Sequence, residues 1–464
     1  MVRSSAVCAV AGLWAVLCWA VPAAVAAEGA PGNRSDIDAI AREWLASTGV
    51  PSASIAIVQN GGLTYAQAYG DARLEPRMRA TTATRYAIDS VSKEFTAAAV
   101  LFLVEQGKLT LDDTAGKWLP NLGEAAKVTV RQLLTHTAGI RDYWPQDYVT
   151  LEMLHPTTVS GILDEWARRP LDFEPGTQWQ YSNTGYVLAA AIVEKVSDQP
   201  LIEFLREHIF APLHMDHVTE DDTRPLSLGD AGAYTRQGLG PTRPASKEGA
   251  GWLFGAAELA MTPSDLARWD VSLMNRSLLA PESYAAFFTP FVLKSGQSTD
   301  YGLGLDIETV QGAKRIGHDG EGSGYLAANR IWPDEKVAIV VLTNTDWADP
   351  GDLLNRLAFA VLTPNAAQAR AATVFAQYQS GSVDRSLFTA NGNSLLTPQA
   401  LADLKASLGA LGPARLIELE HESRRGGMIT RRWKILCRDR RLGVLERGYP
   451  EGQLDQFLVT ALND

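Results

Sequence analysis

The sequence predicts an α+β chain. One antiparallel sheet, flanked by helices, is assembled from both ends of a domain, an all-helical region is inserted between those ends, and a small C-terminal α+β domain follows. Three observations carry this prediction. A helical pattern and a hairpin pattern stand together near the N-terminus, and residues 90–285 then read as mostly helical. Strand patterns return at residues 301–346, joined by short turns as an antiparallel meander requires. The texture changes again near residue 366.

In chain order, "DIDAIAREWLASTG" has the apolar spacing of an amphipathic helix, and "SASIAIVQNGGLTYAQAYG" reads as strand, Asn-Gly-Gly turn and strand. The inserted region contains the helical patterns "VTVRQLLTHTAGI", "TVSGILDEWARR", "GYVLAAAIVEKVSD", "PLIEFLREHIF" and "TPSDLARWDVSLM", broken by Pro and Gly. After the meander, "DPGDLLNRLAFAVL" closes the unit as a helix. Beyond it, "AAQARAATVFAQYQSGS" and "TPQALADLKASLGAL" read as helices, and the rest as three or four strands separated by "RRGG", "RDRR" and "PEGQ". The expected boundaries are a leader at 1–27, a main domain at 36–365 and a small helix-plus-meander domain at 366–464.

The leader follows from "MVRSSAVCAVAGLWAVLCWAVPAAVAAEGAPG": Arg3, an apolar stretch, then small residues suited to cleavage near Ala26 or Ala27. This predicts a secreted or periplasmic protein with no stable membrane insertion once the peptide is removed. Cleavage takes Cys8 and Cys18 and leaves Cys437, so the mature chain has no internal disulfide and depends on packing. With 464 residues, 46% of them hydrophobic, there is material for a large core. The formal net charge of -11 argues against a nucleic-acid partner. The basic cluster from Arg424 to Arg441 reads as solvated strand and turn residues.

Two short stretches carry chemistry. "DSVSKEFTAAAV" sets Ser90 and Lys93 three residues apart at the start of a helical pattern, hence on one face. A serine hydroxyl needs a neighbouring base, and an oxyanion needs preorganised backbone donors, which the start of a helix supplies. Taken alone, the pair is equally a polar helix start. "PGTQWQYSNTGY" adds Tyr181 and Asn183 just before another helical pattern. A phenol beside a lysine ammonium is favoured as phenolate and can serve as general base, then as general acid, while an amide can orient the lysine and bind a substrate carbonyl.

These stretches, with "VTVRQLLTHTAGI" and "GHDGEGSGY" followed by "VAIVVLTN", resemble the family of class C β-lactamases, D-Ala-D-Ala carboxypeptidases, D-aminopeptidases and related esterases, over residues 36–365. The resemblance implies the β-lactamase/transpeptidase-like fold, with Ser90 as acylated nucleophile, Lys93 as its proton partner, Tyr181 as base and Asn183 assisting. It also implies a basic residue and a glycine on the sheet edge lining the cleft. "HDG", His318 to Gly320, fits this place within a strand pattern; "KSG", Lys294 to Gly296, is the alternative. The backbone N–H of Glu321 would then join that of Ser90 in an oxyanion hole. His136 is implied as structural.

A lysine at that edge would bind a substrate carboxylate, whereas His318 is mostly neutral near pH 7 and is flanked by Asp319 and Glu321. The sequence therefore favours a small-molecule ester, amide or peptide substrate handled by an esterase or D-peptide hydrolase. A β-lactamase or carboxypeptidase would be favoured if Lys294 reached the cleft. A non-catalytic binding protein on the same fold is the third reading. The proposed chemistry requires no metal or organic cofactor, and "HMDH" at 214–217 lacks further clustered ligands.

Overall fold

The computed structural model describes residues 34–462 apart from 147, 311 and 439. The expected leader, residues 1–27, lies outside the described residues. Among these, the main sheet has the strand order Arg77–Arg79, Gly62–Leu74, Ser52–Gln59, Val337–Thr343, Tyr325–Trp332, Ala313–Gly322 and Asp306–Val310. Every pairing is antiparallel, and the two ends of the domain meet where Ser52–Gln59 runs beside Val337–Thr343, with Ile55 opposite Val341. The hairpin turns at Asn60 and Gly61, both at positive φ (53° and 77°), as a two-residue turn matching the twist of its strands requires.

The central strands read as continuous apolar runs because both faces are covered. Ala53, Ile55 and Ile57 face a layer containing Ile37, Trp44, Leu353 and Leu357 from the helices Arg34–Thr48 and Pro350–Val361. Trp44 also donates its indole N–H to Asp352 at 3.0 Å, joining these two helices. Ala56 and Val58 face the other layer, built around the helices Ser92–Glu105, Asn183–Ser197 and Pro263–Asn275. Ser92–Glu105 is apolar around its whole circumference, and every residue from Ser92 to Leu101 is buried. An antiparallel sheet flanked by helices with a helical insertion is thus the architecture, as the sequence predicts.

The local differences have physical causes. "VTVRQLLTHTAGI" is helical only over Val130–Leu134, since His136 takes a positive φ of 58° and Gly139 one of 75°. A Cβ on Gly139 would lie 2.4 Å from the Phe173 carbonyl oxygen, so the chain has left the helix to pack on its neighbour. "TVSGILDEWARR" and "PLIEFLREHIF" start as α-helices and widen to π-helical turns at Leu163–Ala167 and Arg206–Phe210.

Residues 366–461 enclose their own apolar cluster. The helices Ala366–Ser380 and Pro398–Leu408 cover a four-stranded meander, Leu416–Arg425, Met428–Cys437, Arg440–Gly448 and Leu454–Ala461, in chain order. Phe375, Tyr378, Trp433, Ile435, Val444 and Phe457 pack between them, with the thiol of Cys437 buried and free. Arg431 is not a solvated residue of the basic cluster. Its guanidinium bonds Glu422 at 2.7 Å and the fully buried Glu446 at 3.0 Å. Arg415 clamps Glu43 of the helix Arg34–Thr48 in a bidentate pair at 3.0 and 2.8 Å, on the sheet face away from Ser90.

Candidate active site

Ser90 occupies a 3-10 turn, Asp89–Val91, immediately before the helix Ser92–Glu105. Asp89 has a positive φ of 46°, a sharp reversal that presents the next residue to the cleft. The strand Ala313–Gly322, whose end runs on past its pairing with Asp306–Val310, packs directly on this turn, and glycine makes the approach possible. A Cβ on Gly320 would lie 2.1 Å from the Ile88 carbonyl oxygen, and one on Gly322 would lie 2.1 Å from a carboxylate oxygen of Asp89. The role of Gly320 is therefore steric: a larger residue would push the strand off the serine turn.

Lys93 is fully buried in the second position of the helix. Its Nζ stands 3.0 Å from Ser90 Oγ, 2.7 Å from Asn183 Oδ1 and 2.9 Å from the Ala256 carbonyl oxygen. Burial pulls its pKa down from the usual lysine range to about 7, against the opposing pull of Asp142 and Asp89. A neutral amine carries two N–H groups and one lone pair. With Asn183 and Ala256 taking the two hydrogens, the lone pair is left facing the Ser90 hydroxyl.

Tyr181 and Asn183 flank Ser182, whose hydroxyl caps the helix Asn183–Ser197 by accepting from Gly185 N at 3.2 Å. That cap sets the two side chains on the cleft side, where both line the opening with Ser90. The Tyr181 ring lies 4.8 Å from Lys93 Nζ. Burial pushes its phenol well above the ordinary tyrosine range, with contact to Ser90 opposing the shift. The phenol form is thus the resting one, and the lysine is the group poised near neutrality. His136 latches the segment in place: its Nδ1 accepts from Ser182 N at 3.1 Å and its carbonyl from Gln180 N at 2.9 Å.

Asp142 escaped the sequence reading. Its carboxylate accepts from Asn183 N at 3.0 Å, from Asn183 Nδ2 at 3.2 Å and from Trp144 N at 3.3 Å. The only signal for it was its place six residues after His136 in "THTAGIRDYW", and nothing in that spacing announces a contact with residue 183.

His318 is buried on the strand Ala313–Gly322, just past its pairing with Asp306–Val310, at the cleft wall. Its Nδ1 faces the Asp319 carbonyl oxygen, which can only accept, so Nδ1 carries the proton and Nε2 accepts from the Tyr301 hydroxyl at 2.9 Å. Burial holds its pKa down at about 4, leaving the ring neutral. Asp319 is ion-paired with Arg330 at 2.6 Å. Lys294, the alternative edge residue, reaches Glu174 at 2.6 Å, and neither is part of the cleft lining.

The cleft has a volume of about 1470 Å³, and Trp144, Tyr148, Leu151 and Trp166 are among the residues that line it. Asp142, Glu152, Asp172, Asp319, Glu321 and Asp346 line it as well, against only two arginines. Arg141 is paired with Asp172 at 2.7 Å and Arg169 with Glu165 at 2.8 Å. The lining thus carries more carboxyl than cationic groups, with Ser90 and Tyr181 at the opening and Lys93 buried behind the serine.

A family model described as Beta-lactamase matches residues 37–363. Penicillin-binding protein 4* of Bacillus subtilis (strain 168) is 28% identical over 307 residues, 63% of this chain and 68% of its own length. The structure of the octameric penicillin-binding protein homologue from Pyrococcus abyssi superposes with a TM-score of 0.64 at 21% identity, covering 93% of this chain and 97% of that one. A D-stereospecific amidohydrolase from Streptomyces sp. gives 0.61 at 26% identity, covering 70% and 98%. The fold, the site and these likenesses agree: the chain belongs to the beta-lactamase family and is a serine hydrolase.

Proposed function

We propose that this hydrolase cleaves esters or amides of ammonium-bearing acyl groups, D-amino-acid derivatives among them, through an acyl-enzyme on Ser90. The observation that carries the reading is the carboxyl-rich cleft with a neutral His318 at its edge, where a substrate carboxylate finds no cationic partner from that histidine. The likeness to the D-stereospecific amidohydrolase supports the amide and the D configuration.

In the first step the Ser90 hydroxyl proton passes to the Lys93 lone pair while Oγ bonds to the substrate carbonyl carbon. The carbonyl oxygen gains charge and is held by the backbone N–H groups of Ser90 and Glu321. As the tetrahedral species collapses, the bond to the leaving group breaks. The Tyr181 phenol gives its proton to the departing nitrogen or oxygen and recovers one from Lys93, so the lysine ends neutral. Water then attacks the ester by the reverse route and releases the acid. Asn183 holds Lys93 and meets the substrate carbonyl side of the cleft. We further propose that residues 1–27 direct export, so that the enzyme acts outside the cytoplasm.

The test is a paired assay of the protein without its leader on D-alanine p-nitroanilide, its N-acetyl derivative, a short p-nitrophenyl ester and nitrocefin, each against Ser90→Ala. The expected result is turnover of the free-amine anilide and the ester that disappears in the variant, with the N-acetyl derivative at least about tenfold slower, as loss of one charged contact implies. Fast nitrocefin hydrolysis would refute the neutral-edge reading.

A further inference from the structure

Asn183 is symmetrical in shape, and its amide can face Lys93 with oxygen or with nitrogen. The two orientations have opposite chemical consequences. With Oδ1 toward the lysine, the amine spends a hydrogen on it and keeps its lone pair for Ser90. With Nδ2 toward the lysine, the amide is a donor, and the lone pair is consumed in accepting from it. Lys93 cannot choose between them, because an amine both donates and accepts. The choice must come from the other side of Asn183, where Asp142 stands.

Asp142 is 7% exposed and faces three N–H donors, Trp144 N, Asn183 N and Asn183 Nδ2. An ionised carboxylate only accepts, so it demands the nitrogen of the Asn183 amide and forces the oxygen toward Lys93 at 2.7 Å. We propose that Asp142 is the positioning residue that fixes the Asn183 amide and thereby reserves the Lys93 lone pair for the Ser90 proton. This rests on the acyl-enzyme reading above.

Asp142 also acts through its charge. The groups around Lys93 are Asp89 on the serine turn, His136 and Asp142 from the loop after Val130–Leu134, Tyr181 just before the capped helix and Tyr186 within it, and His318 from the strand Ala313–Gly322. Burial pushes Asp89 well above the usual carboxylate range, which weakens its pull on the lysine, and it favours the neutral form of both histidines and the phenol form of Tyr181 and Tyr186. Of the carboxyls near Lys93, Asp142 exerts the strongest upward pull on the lysine; burial raises its own pKa from the usual carboxylate range, and the N–H donors of Trp144 and Asn183 oppose that rise by favouring its ionised form. Its negative charge favours the ammonium form of Lys93 and keeps the amine from falling further below neutrality.

The experiment compares wild type with Asp142→Asn and Asp142→Glu, each checked for folding by its thermal melt. Removing the charge favours the amine, so in Asp142→Asn the acid limb of kcat/KM moves to lower pH by about one unit. In the same variant kcat falls about 100-fold with little change in KM, as a misplaced catalytic group predicts. Asp142→Glu keeps the charge and the limb but still loses kcat, because its longer side chain displaces the amide. A fold-only role would leave the limb of the Asn variant unmoved, and that result overturns the proposal. An NMR titration of protein carrying 13Cε-lysine, with the Lys93 signal assigned by Lys93→Arg, reads the lysine without turnover. A Lys93 titration that moves in Asp142→Asn in a protein with no Ser90-dependent hydrolysis would sink the acyl-enzyme reading and leave the positioning contact standing. An unmoved titration sinks the positioning contact itself.

Discussion

Two buried charge clusters in this molecule are built in opposite ways. In the C-terminal meander, Glu446 is fully buried and receives Arg370 at 2.6 Å, Arg431 at 3.0 Å and the Trp433 indole at 2.8 Å. In the cleft, Lys93 is as deeply buried, yet its close partners are the neutral oxygens of Asn183, Ala256 and Ser90. Glu446 is matched by charge and serves as scaffold. Lys93 bonds only dipoles directly, with the Asp142 carboxylate beyond Asn183 as a partial counter-charge, and the cost of burying its positive form appears as a pKa near 7. The contrast teaches that burial alone does not mark a functional ion; the kind of partner decides whether the buried charge is compensated.

The comparison is tested most severely by Lys93→Met. Hydrolysis is expected to fall by roughly a thousandfold or more, since a nucleophile and its base act as a unit. Stability should move the other way. A lysine with a folded pKa of about 7 against an ordinary value of 10.5 binds fewer protons folded than unfolded across that interval, so stability rises with pH from 7 to 10.5 and carries the full penalty below 7. Removing the amine should therefore raise the Tm at pH 6 by several degrees, and a lower Tm in a scan at that pH would contradict the cost assigned to its burial.

Glu446→Ala should do the reverse. It strands two guanidinium groups and is expected to cost about 3 to 5 kcal/mol by denaturant unfolding of the C-terminal region, while kcat and KM stay at wild-type values. Changed kinetic constants would mean that this region communicates with the cleft. The smallest effect is the wild-type pH profile, where kcat/KM should fall about tenfold per unit below pH 7 as Lys93 is protonated. A limb near pH 4 would instead transfer the titration to His318, whose ring is held at about that value.

Much of the site was legible in the chain because its parts are local. Ser90 and Lys93 share a turn, and Tyr181 and Asn183 straddle a capping serine, so spacing alone brings each pair together. The periodicity of the terminal helix, the Asn60–Gly61 turn and the late meander likewise specified the sheet. Tyr181 as a resting phenolate was the natural reading from residue types. Burial, which the sequence does not display, favours the phenol, and on that ground the proposed mechanism gives the first proton transfer to Lys93.

What the sequence by itself determined is thus the set of reactive groups and the local geometry that makes each pair possible. Tertiary structure alone decided which pairs meet. Lys93 reaches Asn183 across 90 residues and the Ala256 carbonyl across 163. Asp142 sets the amide from a loop, Tyr301 and the Asp319 carbonyl fix the tautomer of His318, and Lys294 is drawn away to Glu174. The physical reason is that hydrogen-bond direction and desolvation depend on atoms gathered from distant segments. Helix and turn propensities act over only a few residues.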